Sequence, residues 1–153
     1  MYVYNSKILY IFMYICLCFC LLLKHGHSFE AIHTKPSQGV RLDPEKNIEA
    51  GVQYIKSLNL IFRQVANQEE RYKFILAAYN SGPAHILDAM ALARKFGKNP
   101  HIWNNQVEYF LLKKTDPDFY NDPVVKYGYY RGKETVRYVQ STLSTFEKYR
   151  NRK

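Results

Sequence analysis

The sequence predicts an all-α protein, and three features of its periodic part indicate this class. Apolar residues recur at intervals of three and four from residue 43 onward, as on one face of a helix. No segment shows the apolar and polar alternation of a half-buried strand, and no internal repeat is present. Prolines, glycines and capping residues divide the periodic part into short segments, which favours a compact helical domain over a coiled coil.

The first predicted helix begins at the pair Asp43 and Pro44. Aspartate is a favoured N-cap residue, and proline suits the first helical position because the N–H it lacks would have no helical partner there. Helical spacing then extends over the apolar residues Ile48, Val52, Ile55, Leu58 and Phe62. We therefore expect one helix to span this stretch.

The second predicted helix opens at Asn67, which lies three residues before Glu70. This spacing resembles a capping box, in which the side chains of both residues bind free backbone N–H groups of the first turn. Gly82 and Pro83 are expected to end the helix. Its apolar positions are Tyr72, Phe74, Ile75, Ala77 and Ala78.

A third helix is predicted directly after this turn. Pro83 is tolerated in its first turn, and Gly97 is expected to cap its C-terminus because glycine adopts a positive φ at little steric cost. Its apolar positions are Ile86, Leu87, Met90, Leu92 and Phe96.

A fourth short helix is predicted over residues 103–112, followed by a turn-rich stretch over residues 116–122 in which Asp-Pro pairs occur. The last helix is expected to begin near Glu134, after Gly132, and to end at a charged tail over residues 148–153. Its apolar positions are Val136, Val139, Leu143 and Phe146.

The N-terminal part of the chain contains an uninterrupted apolar run over residues 8–23. Lys7 precedes the run and Lys24 follows it, which is the pattern of an export signal. The run is shorter than the ~20 residues that span a bilayer comfortably, which favours a signal peptide over a stable membrane helix. No clean cleavage site follows, so an uncleaved membrane anchor is the alternative.

These patterns predict three regions along the chain. Residues 1–27 form the signal peptide or anchor, residues 28–42 form a polar linker, and residues 43–150 form one helical domain. With 153 residues the chain is long enough for one domain and short for two.

Composition excludes several kinds of site. All three cysteines lie in the apolar run, so the domain has neither a disulfide framework nor a thiolate metal site. The net charge of +9 would attract polyanions, but no arginine-rich block or nucleic-acid module is present, so we expect no nucleic-acid partner. The histidines show no spacing typical of metal ligands apart from the pair His25 and His27, and we predict no metal and no cofactor. The histidines are His25, His27, His33, His85 and His101.

Two ordered motifs carry a family resemblance. FILAAYNSGPAHI, over residues 74–86, resembles the AYNAG-type motif of peptidoglycan lytic transglycosylases. GKETVRYVQ, over residues 132–140, resembles their ET..YV motif. DPEKNIEAGVQYIKSL, over residues 43–58, resembles the preceding helix, and the segment over residues 104–135 resembles the variant of the membrane-bound F type. The chain is therefore similar to the C-terminal part of the SLT domain.

The resemblance implies a lysozyme-like helical fold and a peptidoglycan substrate. Members of this family cleave the MurNAc–GlcNAc bond with a single carboxylic acid, and the sugar's own 6-hydroxyl closes a 1,6-anhydro ring. The motifs place Tyr79, Asn80 and Tyr138 at the glycan. An amide can donate and accept hydrogen bonds to an acetamido group or a hydroxyl, and a tyrosine offers an apolar face with a polar tip. These three residues are the predicted substrate contacts.

The catalytic glutamate of the family is not identifiable in this chain. In the family it belongs to an ES motif that precedes a GLMQ-type segment, and neither motif occurs here. Glu30 is followed by Ala where the family has Ser, and it lies too close to the first matched helix for the missing elements to fit. Glu134 is interpreted as a helix N-terminal charge favoured by the dipole. We therefore assign no catalytic residue and expect the domain to lack its N-terminal catalytic helix.

Three hypotheses follow for function. The first is a lytic transglycosylase family protein of the cell envelope, periplasmic or membrane-anchored, that acts on peptidoglycan glycan strands. The second is a catalytically inactive peptidoglycan-binding or truncated remnant. The third is a generic basic helical interaction protein, in which Asn80 and Tyr138 could be changed to Ala without loss of glycan binding.

Overall fold

A computed structural model describes residues 44–151, without the side chains of residues 44 and 45. Within this range the chain is helical and contains no strand, which confirms the predicted all-α class. The leader, the linker, the proposed Asp43 cap and the position of the expected catalytic helix lie outside the described residues. The helices are α1 (Pro44–Ile61), α2 (Gln68–Ser81), α3 (Pro83–Lys95), α4 (Glu108–Lys113), α5 (Pro117–Tyr120) and α6 (Lys133–Arg150).

The chain divides into two compact units. Residues 55–145 form one unit, which contains both sequence motifs. The other unit is described only at residues 44–54 and 146–151, which are the beginning of α1 and the end of α6. In that second unit, Glu147 and Arg150 form an ion pair within the last turn of α6. The helix therefore continues into the tail that the sequence predicts to be charged, since basic side chains are favourable near a helix C-terminus.

The end of α1 packs into the core of the 55–145 unit through Leu58 and Phe62, which have no exposed surface. Phe62 continues the helical hydrogen bonding beyond α1, because its N–H donates to the carbonyl of Leu58 at 3.0 Å. Val65 is also fully buried and donates its N–H to the carbonyl of Phe62. The helical spacing predicted through Phe62 is confirmed.

Helix α2 begins at Asn67, whose side-chain oxygen accepts the N–H of Glu70 at 3.0 Å. The predicted cap is confirmed, but the reciprocal half of a capping box is not the arrangement found. The Glu70 carboxylate instead accepts the backbone N–H of Trp103 at 2.7 Å and pairs with Lys73 at 2.6 Å. The hydrogen bond from Trp103, which is distant in sequence, thus replaces the bond that a capping box would form with the N–H of Asn67.

Gly82 is the C-cap of α2; it has φ 81° and ψ 149° and directly precedes Pro83 of α3. Phe96 is the C-cap of α3, and Gly97 follows with φ 71°. The N–H of Lys98 then donates to the carbonyl of Ala93 at 2.8 Å, which closes the helix end in the manner predicted for a glycine cap.

The predicted fourth helix is wrong in its first half. Within residues 103–107 the backbone is kinked, because Asn104 with ψ 127° and Asn105 with φ 57° are not helical. Regular α-helix begins only at Glu108. Asparagine tolerates a positive φ better than most residues, so Asn105 can break the helix that the apolar pattern alone suggests.

The hydrophobic core of the 55–145 unit is built around three aromatic rings. The Phe74 ring lies 5.8 Å from the Phe62 ring and meets the edge of the Trp103 ring at 5.5 Å, centroid to centroid. Edge-to-face packing of this kind adds to the free energy gained from burial. The remaining buried apolar residues of the core include Leu76, Ile86, Leu92, Val107, Leu111, Val136 and Val139.

The turn-rich stretch predicted over residues 116–122 contains the one-turn helix α5, in whose first turn the N–H of Asp118 donates to the Asp116 side chain. Helix α6 then begins at Lys133, as expected near Glu134. Gly132 allows this start, because a Cβ at this position would lie 2.5 Å from the carbonyl oxygen of Leu111. Among residues 44–151, no helix is both long and apolar enough to cross a bilayer.

Candidate functional site

A single hydrogen bond joins the two sequence motifs. The hydroxyl of Thr135, in the second motif, donates to Oδ1 of Asn80, in the first motif, at 2.8 Å. Thr135 has no exposed surface, whereas Asn80 is exposed near the C-terminus of α2. Residues separated by 55 positions are therefore fixed against each other, with Asn80 on the solvent side.

Tyr130 extends this contact into the loop before α6. Its hydroxyl lies 2.7 Å from Oγ1 of Thr135, and its backbone N–H donates to the carbonyl of Lys114 at 3.1 Å. The Tyr130 ring also stacks on the ring of His85, with centroids 4.2 Å apart and an interplanar angle of 21°. Three separate interactions thus hold Tyr130 beneath Asn80 and Thr135.

His85 also contacts a buried ion pair, which is formed by Lys114 and Asp88. Nζ of Lys114 is 2.5 Å from Oδ2 of Asp88 and 3.2 Å from Nδ1 of His85. The Asp88 carboxylate also accepts the backbone N–H groups of Lys126 and Tyr127, at 2.9 and 3.0 Å. The ion pair therefore ties the loop that leads to Tyr130 onto helix α3.

The environment of His85, Lys114 and Asp88 shifts the pKa values of two of these groups. Burial lowers the pKa of His85, the positive charge of Lys114 lowers it further, and the Asp88 carboxylate opposes both effects. Burial also lowers the pKa of Lys114, while the hydrogen bond and charge of Asp88 raise it. In both groups the loss of hydration is the dominant cause, as expected for cations removed from water.

The predicted contacts Tyr79 and Tyr138 are close in sequence to the two residues of the Asn80–Thr135 bond. Tyr79 directly precedes Asn80 on α2, and Tyr138 follows Thr135 by three residues on α6. Positions three apart in a helix lie on the same face, so Tyr138 shares the face that carries Thr135. Both tyrosines are half-buried. The two motifs therefore meet in space through Asn80, a predicted contact, and Thr135, which the sequence did not single out.

The carboxylates near the site are occupied or solvated. The Glu134 side chain is 76% exposed and lies 3.4 Å from Arg137, so it is not in the poorly solvated position that a general acid requires. Asp88 is buried but is bound by Lys114 and two backbone N–H groups. Glu30 lies outside the described residues.

A pocket of about 520 Å³ opens next to Glu134. The pocket is lined by the ring of Tyr129, by the basic side chains of Arg131 and Lys133, and by Gly132, which lies close to α4. The lining residues are Leu112, Thr115, Tyr129, Arg131, Gly132, Lys133 and Glu134.

Sequence reasoning missed most of the polar residues that support Asn80. Thr135 stands inside the quoted ET..YV-type motif, so its position was available as a signal, although its hydrogen bond was not. Lys114 stands in the polar stretch KKTDPD and has no sequence feature that distinguishes a buried lysine from an exposed one. His85 and Asp88 lie on α3 with no recognisable spacing.

Comparison with known proteins gives a family match over half of the chain. The family model described as the Transglycosylase SLT domain matches residues 24–102. The matched stretch includes Glu30 and the segment predicted to be a linker, as well as α1 to α3.

Several curated bacterial proteins are similar to the chain, and each is called membrane-bound lytic murein transglycosylase F. The protein of Desulfosudis oleivorans is 36% identical over 107 residues, which cover 70% of this chain and 23% of that protein. The protein of Cronobacter sakazakii is 40% identical over 101 residues, covering 66% and 19%. The protein of Haemophilus influenzae strain PittGG is 39% identical over 111 residues, covering 72% and 22%. The chain thus spans about a fifth of the length of these relatives.

Proposed function

The chain belongs to the Transglycosylase SLT domain family, as its two motifs suggested, and from this membership we propose that it acts on the glycan strands of peptidoglycan. Tyr79, Asn80 and Tyr138 are the proposed substrate contacts. The observation that carries the proposal is the hydrogen bond between Thr135 and Asn80, which joins the two motifs.

The residues at this surface suit a glycan strand. A sugar presents hydroxyl and acetamido groups at its edges and an apolar C–H surface on its faces. The exposed Asn80 amide can bind the polar edge, while the rings of Tyr79 and Tyr138 can pack against the apolar face and use their hydroxyls as polar partners. The net charge of +9 also favours association with an anionic cell wall.

For an active enzyme, we propose cleavage of the MurNAc–GlcNAc bond with a 1,6-anhydro product. This reaction needs one carboxylic acid that protonates the leaving oxygen and then, as a base, accepts the proton of the 6-hydroxyl. Glu134 is exposed and Asp88 is engaged by Lys114, so neither suits this role. Outside the described residues, Glu30 is the first acidic residue of the chain and is the candidate tested below.

The second candidate function is peptidoglycan binding without cleavage. It is favoured by one observation, which is that the buried carboxylates of the described domain, Asp88 and Asp122, each form an ion pair with a lysine. A domain of this kind would retain the glycan-contact surface without a proton donor for the glycosidic oxygen.

We place the protein at the cell envelope, where its substrate is found. The relatives from Desulfosudis oleivorans and Cronobacter sakazakii carry the words membrane-bound in their names. The apolar run over residues 8–23 would direct export or anchor the chain.

The test is incubation of the full chain with purified peptidoglycan sacculi, followed by mass spectrometry of the soluble products and a sedimentation assay for retained protein. Appearance of 1,6-anhydromuropeptides that Glu30→Gln abolishes would establish cleavage. Retention on sacculi without such products would establish the binding function. Neither products nor retention, with the protein folded by circular dichroism, would overturn the proposal.

Two variants separate glycan recognition from nonspecific attraction by charge. Asn80→Ala and Tyr138→Ala should each reduce retention on sacculi, because they remove proposed contacts and leave the net charge unchanged. Unchanged retention in both variants would support a generic basic interaction protein instead. Lys98 is exposed just beyond the end of α3. Lys98→Ala removes one charge but no proposed contact, so it is the control for electrostatic attraction.

A further inference from the structure

The hydrogen bonds of Thr135 define the orientation of the Asn80 amide. A threonine hydroxyl has one proton, and Thr135 donates it to Oδ1 of Asn80. The hydroxyl of Tyr130, 2.7 Å from Oγ1 of Thr135, must then be the donor in that contact. The hydrogen bonds therefore run in one direction, in which Tyr130 donates to Thr135 and Thr135 donates to Asn80.

The reverse direction would leave the Tyr130 hydroxyl without an acceptor among the described residues. If Asn80 donated to Thr135, the threonine proton would pass to the Tyr130 oxygen and the Tyr130 proton would need another acceptor. Among the described residues, the Tyr130 hydroxyl has only Thr135 within hydrogen-bond distance. An unpaired donor on a half-buried ring costs free energy, which favours the direction from Tyr130 to Asn80.

The hydrogen-bonded series is buried at its central residue, Thr135, and is held in place at both ends. Thr135 has no exposed surface, so solvent does not compete for its hydroxyl. Tyr130 cannot turn away easily, because its ring stacks on His85 and its N–H binds the carbonyl of Lys114. Helix α6 fixes the Thr135 backbone, and helix α2 fixes that of Asn80.

With Oδ1 occupied, Asn80 presents its Nδ2 group. This group has two N–H donors and makes no hydrogen bond to another described residue. An exposed site that offers only donors suits an atom that can only accept. The acetamido carbonyl oxygen of an N-acetylated sugar is such an atom, whereas a sugar hydroxyl also brings a proton that needs its own acceptor.

We propose that Tyr130 and Thr135 are positioning residues that fix the Asn80 amide as a donor for the acetamido carbonyl of an N-acetylated glycan. The proposal rests on the proposed function and deepens it, since it assigns the contact atom and the chemical group recognised. Asn80 is the contact residue, and the two hydroxyls act through it.

The test compares two neutral ligands of matched length. The full chain is titrated with chitohexaose, which carries acetamido groups, and with cellohexaose, which has hydroxyls in their place. The measured quantity is the ratio of the two dissociation constants. The wild-type chain should prefer chitohexaose by roughly three- to tenfold, the effect of one neutral hydrogen bond.

Four variants distinguish positioning from general stability. Thr135→Val removes the hydroxyl with little change in shape and should bring the ratio close to one, while Thr135→Ser keeps the hydroxyl and should restore the preference. Tyr130→Phe should reduce the ratio in part. Thr135 can still donate its proton to Asn80, but its hydroxyl is no longer held in that direction by Tyr130. Asn80→Asp keeps the acceptor for Thr135, replaces the outward donors with an acceptor, and should abolish the preference.

The outcomes distinguish a failure of the proposed function from a failure of this assignment alone. No binding of either ligand by the folded wild-type chain would overturn the proposed function and this assignment with it. A wild-type preference that persists in Thr135→Val and Asn80→Asp would overturn the assignment alone. Where Thr135→Val fails to fold, Asn80→Asp at the exposed position still tests the contact residue and Tyr130→Phe tests the positioning.

Discussion

Nζ of Lys114 lies 2.5 Å from Oδ2 of Asp88, and the two side chains are only 0% and 3% exposed. A buried ion pair of this kind is costly to break, because removal of one partner leaves the other charge without water or a counter-ion. The pair also supports the loop before α6, since Asp88 accepts the N–H groups of Lys126 and Tyr127. The ion pair thus links the stability of the domain to the position of Tyr130.

We expect Lys114→Met to lower the free energy of unfolding by about 3–5 kcal/mol, since the Asp88 carboxylate would remain buried without its cation. Urea unfolding followed by circular dichroism measures the change. Lys113→Met is the matched control. The neighbouring Lys113 is 39% exposed and lies 3.9 Å from Asp116, so its removal should cost less than about 1 kcal/mol.

The double variant Asp88→Asn with Lys114→Met tests whether the two charges act as a pair. Removal of both charges leaves no isolated ion, so the double variant should lose less stability than the sum of the two single variants. Asn at position 88 also keeps an oxygen that can accept a backbone N–H of the loop. Additive losses would show that the two side chains stabilise the domain independently.

Gly132 provides a second prediction, which concerns packing. A Cβ at this position would lie 2.5 Å from the Leu111 carbonyl oxygen and 2.8 Å from its carbon, both of which are backbone atoms. We expect Gly132→Ala to destabilise the domain by about 1–3 kcal/mol, because α4 and the start of α6 would have to move apart. The shift in the urea midpoint measures this loss.

Gly97→Ala is the control for the Gly132 prediction, because it tests backbone strain without a clash. Gly97 has φ +71° and open space around its missing Cβ, so the cost should be that of a left-handed alanine, about 1 kcal/mol. The two variants also differ in their effect on the site, since only Gly132→Ala displaces the helix that carries Thr135. A loss at Gly132 no larger than that at Gly97 would mean that the contact with Leu111 relaxes freely.

The N-cap of α2 gives a third prediction. The side-chain oxygen of Asn67 accepts the N–H of Glu70 at 3.0 Å, so Asn67→Ala should lower stability by about 1 kcal/mol. Asn67→Asp retains a cap oxygen and adds a negative charge at the helix N-terminus, and it should preserve or slightly raise stability. Equal losses in both variants, measured by thermal unfolding, would contradict a capping role.

The helices could be predicted from the sequence because their signals are local. Apolar spacing, the cap at Asn67 and the breakers Gly82, Pro83 and Gly97 all act within a few residues, and each is confirmed in place. The distortion at Asn105 escaped prediction, because the apolar spacing around it is compatible with an undisturbed helix.

The support of the candidate site could not be predicted in the same way, because it depends on contacts across the fold. Glu70 has the spacing of a capping residue, yet its carboxylate binds the N–H of Trp103, which is 33 residues away. Asn80 was recognised from its motif, but its partner Thr135 is brought to it only by the packing of α6. Tertiary contacts decide where such polar side chains bind, and the local sequence does not contain them.

The last prediction concerns His85 and the dependence of stability on pH. Burial lowers the pKa of His85 in the folded domain, and the charge of Lys114 adds to this effect against the opposing Asp88 carboxylate. The unfolded chain therefore takes up a proton near the ordinary value of 6.5, at a pH where the folded domain does not. The free energy of unfolding should fall as the pH decreases below about 6.5, by at most ~1.4 kcal/mol per pH unit, until the pH reaches the folded pKa.

His85→Phe should remove this dependence, since phenylalanine does not titrate and can still stack on Tyr130. Urea unfolding of both proteins from pH 7.5 to pH 5 measures the difference. Titration of the buried Asp122 does not interfere with this comparison. The hydrogen bonds from Lys95 and from the N–H of Val124 lower its pKa from 3.8, so its stabilising effect is lost only at more acidic pH. Parallel curves for wild type and His85→Phe over this range would show that His85 has the same proton affinity in the folded and unfolded chain.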